Sequence, residues 1–305
     1  MPVRNGGRDL DEAVASILGQ TFADFELLAV NDHSTDDTPS RLRQASEADA
    51  RVRVIDSPGH GFVAAVNAGL ADSGSAWIAR MDADDRSHPE RLARQMAYLH
   101  AHEDVDILGT SVRVIDANGH PSGSIRYPLE HALIVLSLRA ATAFAHGSVV
   151  VRRAALITAG GYRAGRFPAE DYDLWCRLAV AGARLANLDE PLYDYRLSPG
   201  GVSRTINSEQ AAMEREVGVE YGRLLALVPP LAEAWTAAAA VGRRVADGEA
   251  DARALARAAR STRESVLPWA RSRRWEAAGA ALTAALRAEV AYRRRRLATG
   301  RVRQG

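Results

Sequence analysis

Apolar side chains along the first two hundred residues follow two alternating patterns. Residues 9–20 place apolar side chains at positions 10, 13, 14, 17 and 18, which is the spacing of one face of a helix. Residues 25–30 form a short apolar run that ends in polar turn residues, as a buried strand does. Further helices are predicted at 38–48, at 62–71 and from a Ser87 cap to about 102, and further strands at 52–55, 76–81 and 107–115.

This alternation of strands and helices predicts an α/β fold. Parallel strands need long crossover connections, which helices supply, so the order indicates an open, mostly parallel sheet flanked by helices on both faces. Ligands of such sheets bind at the carboxyl ends of the strands. Ligand-binding residues are therefore expected in the turns that follow the strands near residues 30 and 81.

The composition of the chain changes beyond about Thr205. Alanine and arginine dominate there, and strand patterns stop. The chain is thus predicted to hold an α/β domain at residues 1–205 and an α-helical extension at residues 206–305. Helical segments of the extension are expected near 208–227, 231–246, 250–265 and 275–297, with Pro229, Pro230 and Pro268 between some of them.

The chain opens on a segment that has the composition of a loop. Residues 1–7 lack a strand pattern, and no strand precedes them. Either the fold begins with a helix, or the first strand is missing because the encoded start lies several residues inside the gene. The second interpretation is favoured, because a βα alternation that opens on a loop lacks the strand that the loop should follow.

Composition and charge narrow the class of protein. The chain has 47% hydrophobic and 25% charged residues, which is ordinary for a soluble globular protein. A net charge of +1 argues against a protein that coats nucleic acid. Residues 261–305 nevertheless carry eleven arginines against three glutamates. A solvated helix face is the first interpretation of this basic segment, contact with anionic lipid headgroups is the second, and nucleic-acid binding is the last.

Cysteine usage and apolar run lengths predict the compartment. Cys176 is the only cysteine, so no intrachain disulfide forms and a reducing compartment is expected. Its neighbours Trp175 and Leu178 indicate a core thiol. No apolar stretch reaches the roughly 20 residues that span a bilayer, and the N-terminus has no signal-peptide pattern. We expect a cytoplasmic protein. Alternatively, the basic C-terminal helix could hold it peripherally at the inner face of the membrane.

Three carboxylates follow one predicted strand. Asp82, Asp84 and Asp85 lie directly behind the apolar run at 76–81. Their mutual repulsion is costly unless a cation relieves it. Mg²⁺ or Mn²⁺ is the expected cation, because these ions prefer oxygen ligands and are usually held by one or two carboxylates together with substrate phosphates. Asp32 also follows a strand, so one site can contain all four side chains.

Six blocks occur in one order along residues 1–205: Pro2-Val3-Arg4-Asn5, residues 20–27, residues 31–38, residues 65–70, residues 78–85 and residues 170–175. Together they resemble the inverting nucleotide-sugar glycosyltransferases of family 2, which have the GT-A fold. Each block alone is a weak signal, whereas six in sequence are specific. Asn31 and His33 depart from the pattern, since many relatives carry Asp and Gly at these positions.

The resemblance implies where the donor lies. Asp82 and Asp84 form an Asp-x-Asp motif, whose cation bridges the two phosphates of the donor, and Asp85 is either a further ligand or a ribose contact. Asp32 is implied to contact the nucleotide base or ribose. Taken singly, such aspartates more often form turns or cap helices. The same blocks place four further residues against the donor: Pro2, Arg4, Asn67 and Arg80.

The resemblance also implies an acceptor side. It places the general base, which removes the proton of the acceptor hydroxyl, at Asp171. Glu170 and His146 are further candidates, although acids in a first helical turn also complement the helix dipole and a lone histidine is more often structural. In the closing segment, Ser198 stands where many relatives have His. Arg196 or Arg204 could then clamp a phosphate instead.

The predicted function is transfer of a sugar, with inversion, from a nucleotide-diphosphate sugar to a hydroxyl of a glycan, glycolipid or other acceptor. Bacterial polysaccharide, cell-wall or glycolipid assembly is the setting that the resemblance implies, and no nucleic-acid partner is expected. The alternative is an impaired or non-catalytic homologue that binds nucleotide sugars, which the chain start and Ser198 motivate. A nucleotidyltransferase would carry a basic Gly-rich loop near the N-terminus, and none is evident.

Overall fold

The first part of the molecule is a parallel three-stranded sheet. The computed structural model describes residues 1–138, 141–197 and 207–225. The elements of the first part are β1 (Pro2–Val3), α1 (Leu10–Leu18), β2 (Leu27–Asn31), α2 (Thr38–Ala48), β3 (Val52–Asp56) and α3 (Phe62–Asp72), with the strands in the order β1–β2–β3. The helices and strands predicted at residues 9–71 are confirmed, with ends that differ by two residues or fewer.

The second sheet is mixed. Its order is β4–β8–β6–β9–β5, with β7 paired to β6, and only β6 and β9 run parallel within it. The α/β class is confirmed, while parallel pairing is limited to the first sheet and to this one pair. Alternation along a sequence locates strands but not their directions, and the tight turn between β6 and β7 forces an antiparallel pair. The strands are β4 (Trp77–Ala79), β5 (Arg86–Ser87), β6 (Ile107–Asp116), β7 (Pro121–Ile125), β8 (Val150–Arg152) and β9 (Leu185–Leu197).

The remaining helices cover the second sheet. They are α4 (Arg91–Ala101), α5 (His131–Ser137), α6 (Arg153–Thr158), α7 (Glu170–Val180) and α8 (Asn207–Leu225). The prediction that Ser87 caps α4 is wrong, because Ser87 lies in β5, where it pairs with Tyr193 of β9. None of the helices among the described residues is long and apolar enough to span a membrane.

One helix of the predicted C-terminal extension is described. Helix α8 corresponds to the segment expected at 208–227. Its Val217 and Tyr221 are buried in the same core cluster as Trp175 of α7. The later helices and the basic segment at 261–305 lie outside the described residues. The domain boundary at residue 205 therefore stays a prediction.

The start of the chain is a strand rather than the predicted loop. Pro2 and Val3 pair in parallel with Val30 and Asn31 of β2. The Val30 amide donates to the Met1 carbonyl at 2.8 Å. A two-residue strand is too short to show period-2 alternation, so the sequence pattern could not reveal it.

A groove of about 520 Å³ runs between the first sheet and β4. Among the described residues, β1 and β4 are each an edge strand of their own sheet, and both line this groove. The Met1 amino group donates to the Leu28 carbonyl at 2.9 Å. Residues that continued β1 backwards from Met1 would therefore enter the groove alongside β2. A longer first strand stays a prediction, and the groove offers a place for it.

An apolar strand in this groove should stabilise the protein. Fusing about five alternating Val and Ile residues ahead of Met1 is expected to raise Tm by about 5 °C or more. The added strand would pair with β2 and bury side chains worth about 1.5–3 kcal/mol each before the cost of ordering them. Thermal unfolding measures the shift, and a Gly-Ser extension of equal length is the matched control. Equal Tm values for the two extensions would show that the groove does not accept a strand.

Candidate functional site

The acidic turn after β4 is fixed by a buried arginine and a tyrosine. Arg80 donates to Asp82 Oδ1 at 2.6 Å and also to the Met81 carbonyl, and its guanidinium lies 5.1 Å from the centroid of the Phe62 ring. The Asp82 amide donates to Tyr193 Oη at 3.1 Å. Burial works to raise the pKa of the Asp82 carboxyl, but the charge and hydrogen bond of Arg80 together with other neighbouring groups outweigh burial and hold this pKa below its ordinary value. Asp82 is thus an ionised carboxylate in a fixed position.

The other two carboxyls of the turn have different surroundings. Asp84 is half-buried, and burial together with the charge of Asp82 raises its pKa to about 6. Asp85 is only 1% exposed, and its Oδ1 accepts a hydrogen bond from the Arg196 amide at 2.7 Å. Burial and the two neighbouring carboxylates raise the pKa of Asp85 well above its ordinary value. The geometry therefore favours Asp85 as a link to β9 over its predicted role as a ligand or ribose contact.

The turn suits a hard divalent cation that is shared with a substrate. Repulsion among its carboxylates raises the pKa values of Asp84 and Asp85, and a divalent cation would remove that repulsion. Among the described residues, Asp82, Asp84 and Asp85 do not converge as a group of three ligands. Two carboxylates completed by phosphate oxygens are the usual arrangement for Mg²⁺. Asp82 and Asp84 are the residues that fit this arrangement.

Arg196 lies beneath the turn, where its guanidinium donates hydrogen bonds to protein oxygens. Its Nε donates to the Asp84 carbonyl at 2.6 Å, and its Nη2 donates to the Glu12 carboxylate. Two of its three nitrogens are thus engaged with the protein, and the phosphate clamp stays a prediction. Ser198 and Arg204 lie outside the described residues.

A layer of buried residues under the turn escaped the sequence analysis. Arg91 is fully buried and donates to the carbonyls of Gly147 at 2.7 Å and of Arg80 at 3.2 Å. Its guanidinium lies 5.2 Å from the centroid of the Tyr193 ring. A Cβ on Gly147 would lie 2.1 Å from Tyr193 Oη, so glycine is required for the tyrosine to reach the Asp82 amide. An arginine among the apolar positions of α4 was the one signal that could have indicated this layer.

Asp32 joins the ends of the first three strands. It is buried, its amide donates to the Val3 carbonyl at 2.8 Å, and its Oδ1 accepts from the Gly61 amide at 3.0 Å. Exposed Arg4 places Nη1 3.9 Å from Asp32 Oδ2. Pro2 is half-buried in β1, next to this corner. The structure therefore brings three of the predicted donor contacts, Pro2, Arg4 and Asp32, to one end of the first sheet.

Asn67 has a structural role. Its Nδ2 donates to the Tyr162 carbonyl at 2.8 Å, and its Oδ1 accepts from the Tyr162 amide at 2.9 Å. Gly161 has a φ of 66°, and a Cβ at this position would lie 2.7 Å from Asn67 Oδ1, so a side chain there would clash with Asn67. The Asn67 amide is thus engaged with backbone that it holds in place, and its contact with the donor stays a prediction.

His146 sits in an aromatic setting. Its Nε2 lies 2.9 Å from Tyr162 Oη, and its ring makes edge contacts with Phe62 and Trp175. Burial, aided by the positive charge of Arg80, lowers the pKa of the imidazole to about 3. His146 is therefore neutral at physiological pH, and it is held as a packing and hydrogen-bonding group.

Two adjacent carboxyls begin helix α7. Glu170 is buried, whereas Asp171 is half-buried and its Oδ1 accepts from the Tyr172 amide at 2.7 Å. Burial and the charge of Asp171 raise the pKa of Glu170 to about 8. Burial is also the main reason that the pKa of Asp171 rises to about 6, and the charges of Glu214 and, less strongly, Asp82 add to it. Asp171 and Asp82 thus lie within electrostatic range of each other.

Solved structures share this fold. The S. aureus TarS 1-349 structure in complex with UDP-GlcNAc aligns with a TM-score of 0.60 at 18% identity, covering 74% of this chain and 69% of that one. The mannosyltransferase PcManGT from Pyrobaculum calidifontis, in complex with GDP-Man and Mn²⁺, aligns with a TM-score of 0.53 at 18% identity, covering 93% and 84%. At such identities the likeness concerns the fold, which is the GT-A type.

Sequence comparison identifies the family. The O-antigen biosynthesis glycosyltransferase WbnJ of Escherichia coli is 33% identical over 200 residues, which cover 65% of this chain and 78% of WbnJ. The amylovoran biosynthesis glycosyltransferase AmsE of Erwinia amylovora is 35% identical over 144 residues, or 47% of this chain and 53% of AmsE. The family model described as "Glycosyl transferase family 2" matches residues 1–168, a span that contains the acidic turn and the Asp32 corner. On this match and on the alignment with WbnJ, the chain belongs to glycosyl transferase family 2.

Proposed function

We propose that this glycosyltransferase moves a sugar, with inversion, from a nucleotide-diphosphate sugar to an acceptor hydroxyl. One observation supports the proposal: the ionised Asp82 of the acidic turn, next to Asp84, lies within electrostatic range of Asp171, a separate carboxylate with a raised pKa. The space between them is the proposed substrate cleft. Similar proteins support the donor class, since two solved structures carry UDP-GlcNAc and GDP-Man. The names of WbnJ and AmsE support assembly of a bacterial polysaccharide, cell-wall polymer or glycolipid.

The donor half of the cleft extends from Asp32 to the acidic turn. Asp32 and the exposed Arg4 would bind the nucleoside end, and Asp82 and Asp84 would hold Mg²⁺ or Mn²⁺ together with the diphosphate. When bound, the cation supplies positive charge that stabilises the diphosphate as a leaving group. Arg80 holds the Asp82 carboxylate and Arg196 holds the Asp84 backbone carbonyl, so little reorganisation of the turn would accompany the departure of the diphosphate.

The acceptor half depends on Asp171. At neutral pH Asp171, with a pKa of about 6, is ionised, whereas Glu170, with a pKa of about 8, keeps its proton. Only the ionised carboxylate can take a proton, so Asp171 is the better general base. The acceptor oxygen forms its bond to the anomeric carbon as the bond to the diphosphate oxygen breaks. Asp171 receives the hydroxyl proton, the diphosphate leaves with the electron pair, and one displacement inverts the configuration.

The cellular setting is part of the proposal. We place the enzyme in the cytoplasm, where it would use nucleotide-diphosphate sugars as substrates. The basic segment at 261–305 could place it at the inner face of a membrane, where a glycolipid acceptor would lie.

A donor screen tests the activity. With Mn²⁺ or Mg²⁺ present, at least one nucleotide-diphosphate sugar is expected to release nucleoside diphosphate, and a chelator should abolish the release. Asp84→Asn should lower the rate by about 10²-fold, because the cation loses a charged ligand. Asp116→Asn, which changes an acid outside the cleft, is the matched control. Nucleotide binding without release from any donor would favour the impaired homologue instead.

Asp171→Asn separates binding from chemistry. The variant keeps the shape of the side chain but cannot accept a proton, so kcat is expected to fall by about 10²–10⁴-fold while the donor Kd stays unchanged. Glu170→Gln, which preserves the neutral state that Glu170 already has, should lose far less turnover. Steady-state kinetics and calorimetry measure the two effects. Turnover near that of the native protein in Asp171→Asn would exclude Asp171 as the base.

The raised pKa of Glu170 also predicts how stability depends on pH. Its value of about 8 exceeds the ordinary 4.5, so the folded protein binds this proton more tightly than the unfolded chain. This stabilisation is complete below about pH 4.5 and is lost as pH rises through about 8. The free energy of unfolding of Glu170→Gln should therefore rise relative to that of the native protein, by about 4 kcal/mol between about pH 4.5 and pH 9. Denaturant unfolding at several pH values measures this gain, and a difference that does not change with pH would contradict it.

A further inference from the structure

We propose that Asp32, His33 and His60 form a second metal site, which binds a transition-metal dication such as Zn²⁺ at the nucleoside end of the cleft. Each residue offers one ligand atom, and these atoms lie within 4.8 Å of one another. The site shares no ligand with the acidic turn that holds Asp82 and Asp84. Its effect on nucleotides, described below, rests on the proposed function, whereas metal binding itself does not.

Two neighbouring parallel strands build the site. Asp32 and His33 follow β2, and His60 lies in the loop after β3, so the carboxyl ends of two paired strands bring the residues together. The His33 backbone has a φ of 51°, a left-handed conformation that L-residues other than glycine seldom adopt. That conformation stacks its ring on His60, with centroids 4.0 Å apart and planes at 26°. Both imidazoles are exposed and reachable by an ion.

The ligand chemistry selects the class of ion. Two imidazoles and one carboxylate suit Zn²⁺, Co²⁺ or Ni²⁺, whereas Mg²⁺ prefers oxygen ligands alone. The Gly61 amide donates to Asp32 Oδ1 at 3.0 Å, which orients the carboxylate as an outer hydrogen bond does in established metal sites. Three protein ligands leave a fourth position for water or for an oxygen of another molecule.

The site lies where the nucleoside is proposed to bind, so an ion in it should affect nucleotide binding. Asp32 is the residue proposed to bind the nucleoside, and its Oδ2 lies 3.9 Å from Nη1 of the exposed Arg4. An ion held by Asp32 would engage this carboxylate and draw both histidine rings over the nucleoside position. Zn²⁺ should therefore weaken nucleotide binding, even when Mg²⁺ is saturating at the acidic turn.

Cobalt absorption tests the metal site directly. The full chain, stripped of metal and kept in excess Mg²⁺, is titrated with Co²⁺, whose four-coordinate complexes absorb strongly in the visible range. We expect a saturable band that Zn²⁺ displaces. His33→Gly and His60→Ala should each weaken Co²⁺ binding by about tenfold or more. His33→Gly suits the left-handed backbone, and thermal unfolding verifies that each variant folds.

The matched control is His120→Gln. His120 is also exposed, and its Nδ1 lies 3.5 Å from an Asp116 carboxylate oxygen, but within the described part of the chain it belongs to no cluster of three metal-ligating side chains. This variant should bind Co²⁺ like the native protein. A protein without the cobalt band, or a band that persists unchanged in both His33→Gly and His60→Ala, would overturn the metal site.

Calorimetry with UDP and GDP in excess Mg²⁺ tests the consequence. In the native protein Zn²⁺ should raise the Kd of the nucleotide that binds by about tenfold, whereas His60→Ala should show the same Kd with and without Zn²⁺. The free nucleotide itself chelates Zn²⁺, to the same extent in the experiment on the native protein and in the experiment on His60→Ala. Comparing the two proteins therefore removes the effect of chelation. Zn²⁺ binding with an unchanged nucleotide Kd would overturn the inhibitory role and leave the site itself standing. Failure of the donor screen with an intact cobalt band would count against the proposed function alone.

Discussion

The site depends on the pairing of buried arginines with the oxygens of one acidic turn. Arg80 binds the Asp82 carboxylate, and Arg196 binds the Asp84 carbonyl and, through its amide, the Asp85 carboxylate. Charges removed from water are costly unless they are paired and hydrogen-bonded, so each arginine and its partner hold the other in place. The turn after β4 therefore has a defined shape although three of its four residues are acidic.

This pairing also joins distant parts of the chain. Tyr193 and Arg196 lie on β9, and they reach a turn more than a hundred residues earlier in the sequence. Gly147 leaves room for Tyr193, and buried Arg91 ties Gly147 to the backbone of Arg80. The acidic turn is consequently positioned by the second sheet, while Asp32 is positioned by the first. The proposed substrate cleft is thus bordered by residues that the two different sheets hold in place.

Sequence could predict the parts of the site that are local. Asp32, Asp82 and Asp84 follow strands, and strand ends are visible as short apolar runs before polar turns. The roles of Asn67 and Arg196 were not predictable in this way, because their partners lie 95 and 112 residues away. The same limit applies to strand direction, which left the antiparallel part of the second sheet unseen. The pattern of one helical turn does not separate Glu170 from Asp171; the family resemblance pointed to Asp171, and the burial of Glu170 now supports that proposal.

In the proposed reaction the acceptor oxygen displaces the diphosphate in one step, with Asp171 as the base that takes the acceptor proton. The most direct test is the configuration of the new glycosidic bond, read from the ¹H NMR coupling constant of the anomeric proton in the product. With a donor whose sugar is α-linked to the diphosphate, a β-linked product is predicted, because Asp171 activates an acceptor that attacks opposite the leaving group. An α-linked product would require two displacements or front-side attack, and it would contradict the account.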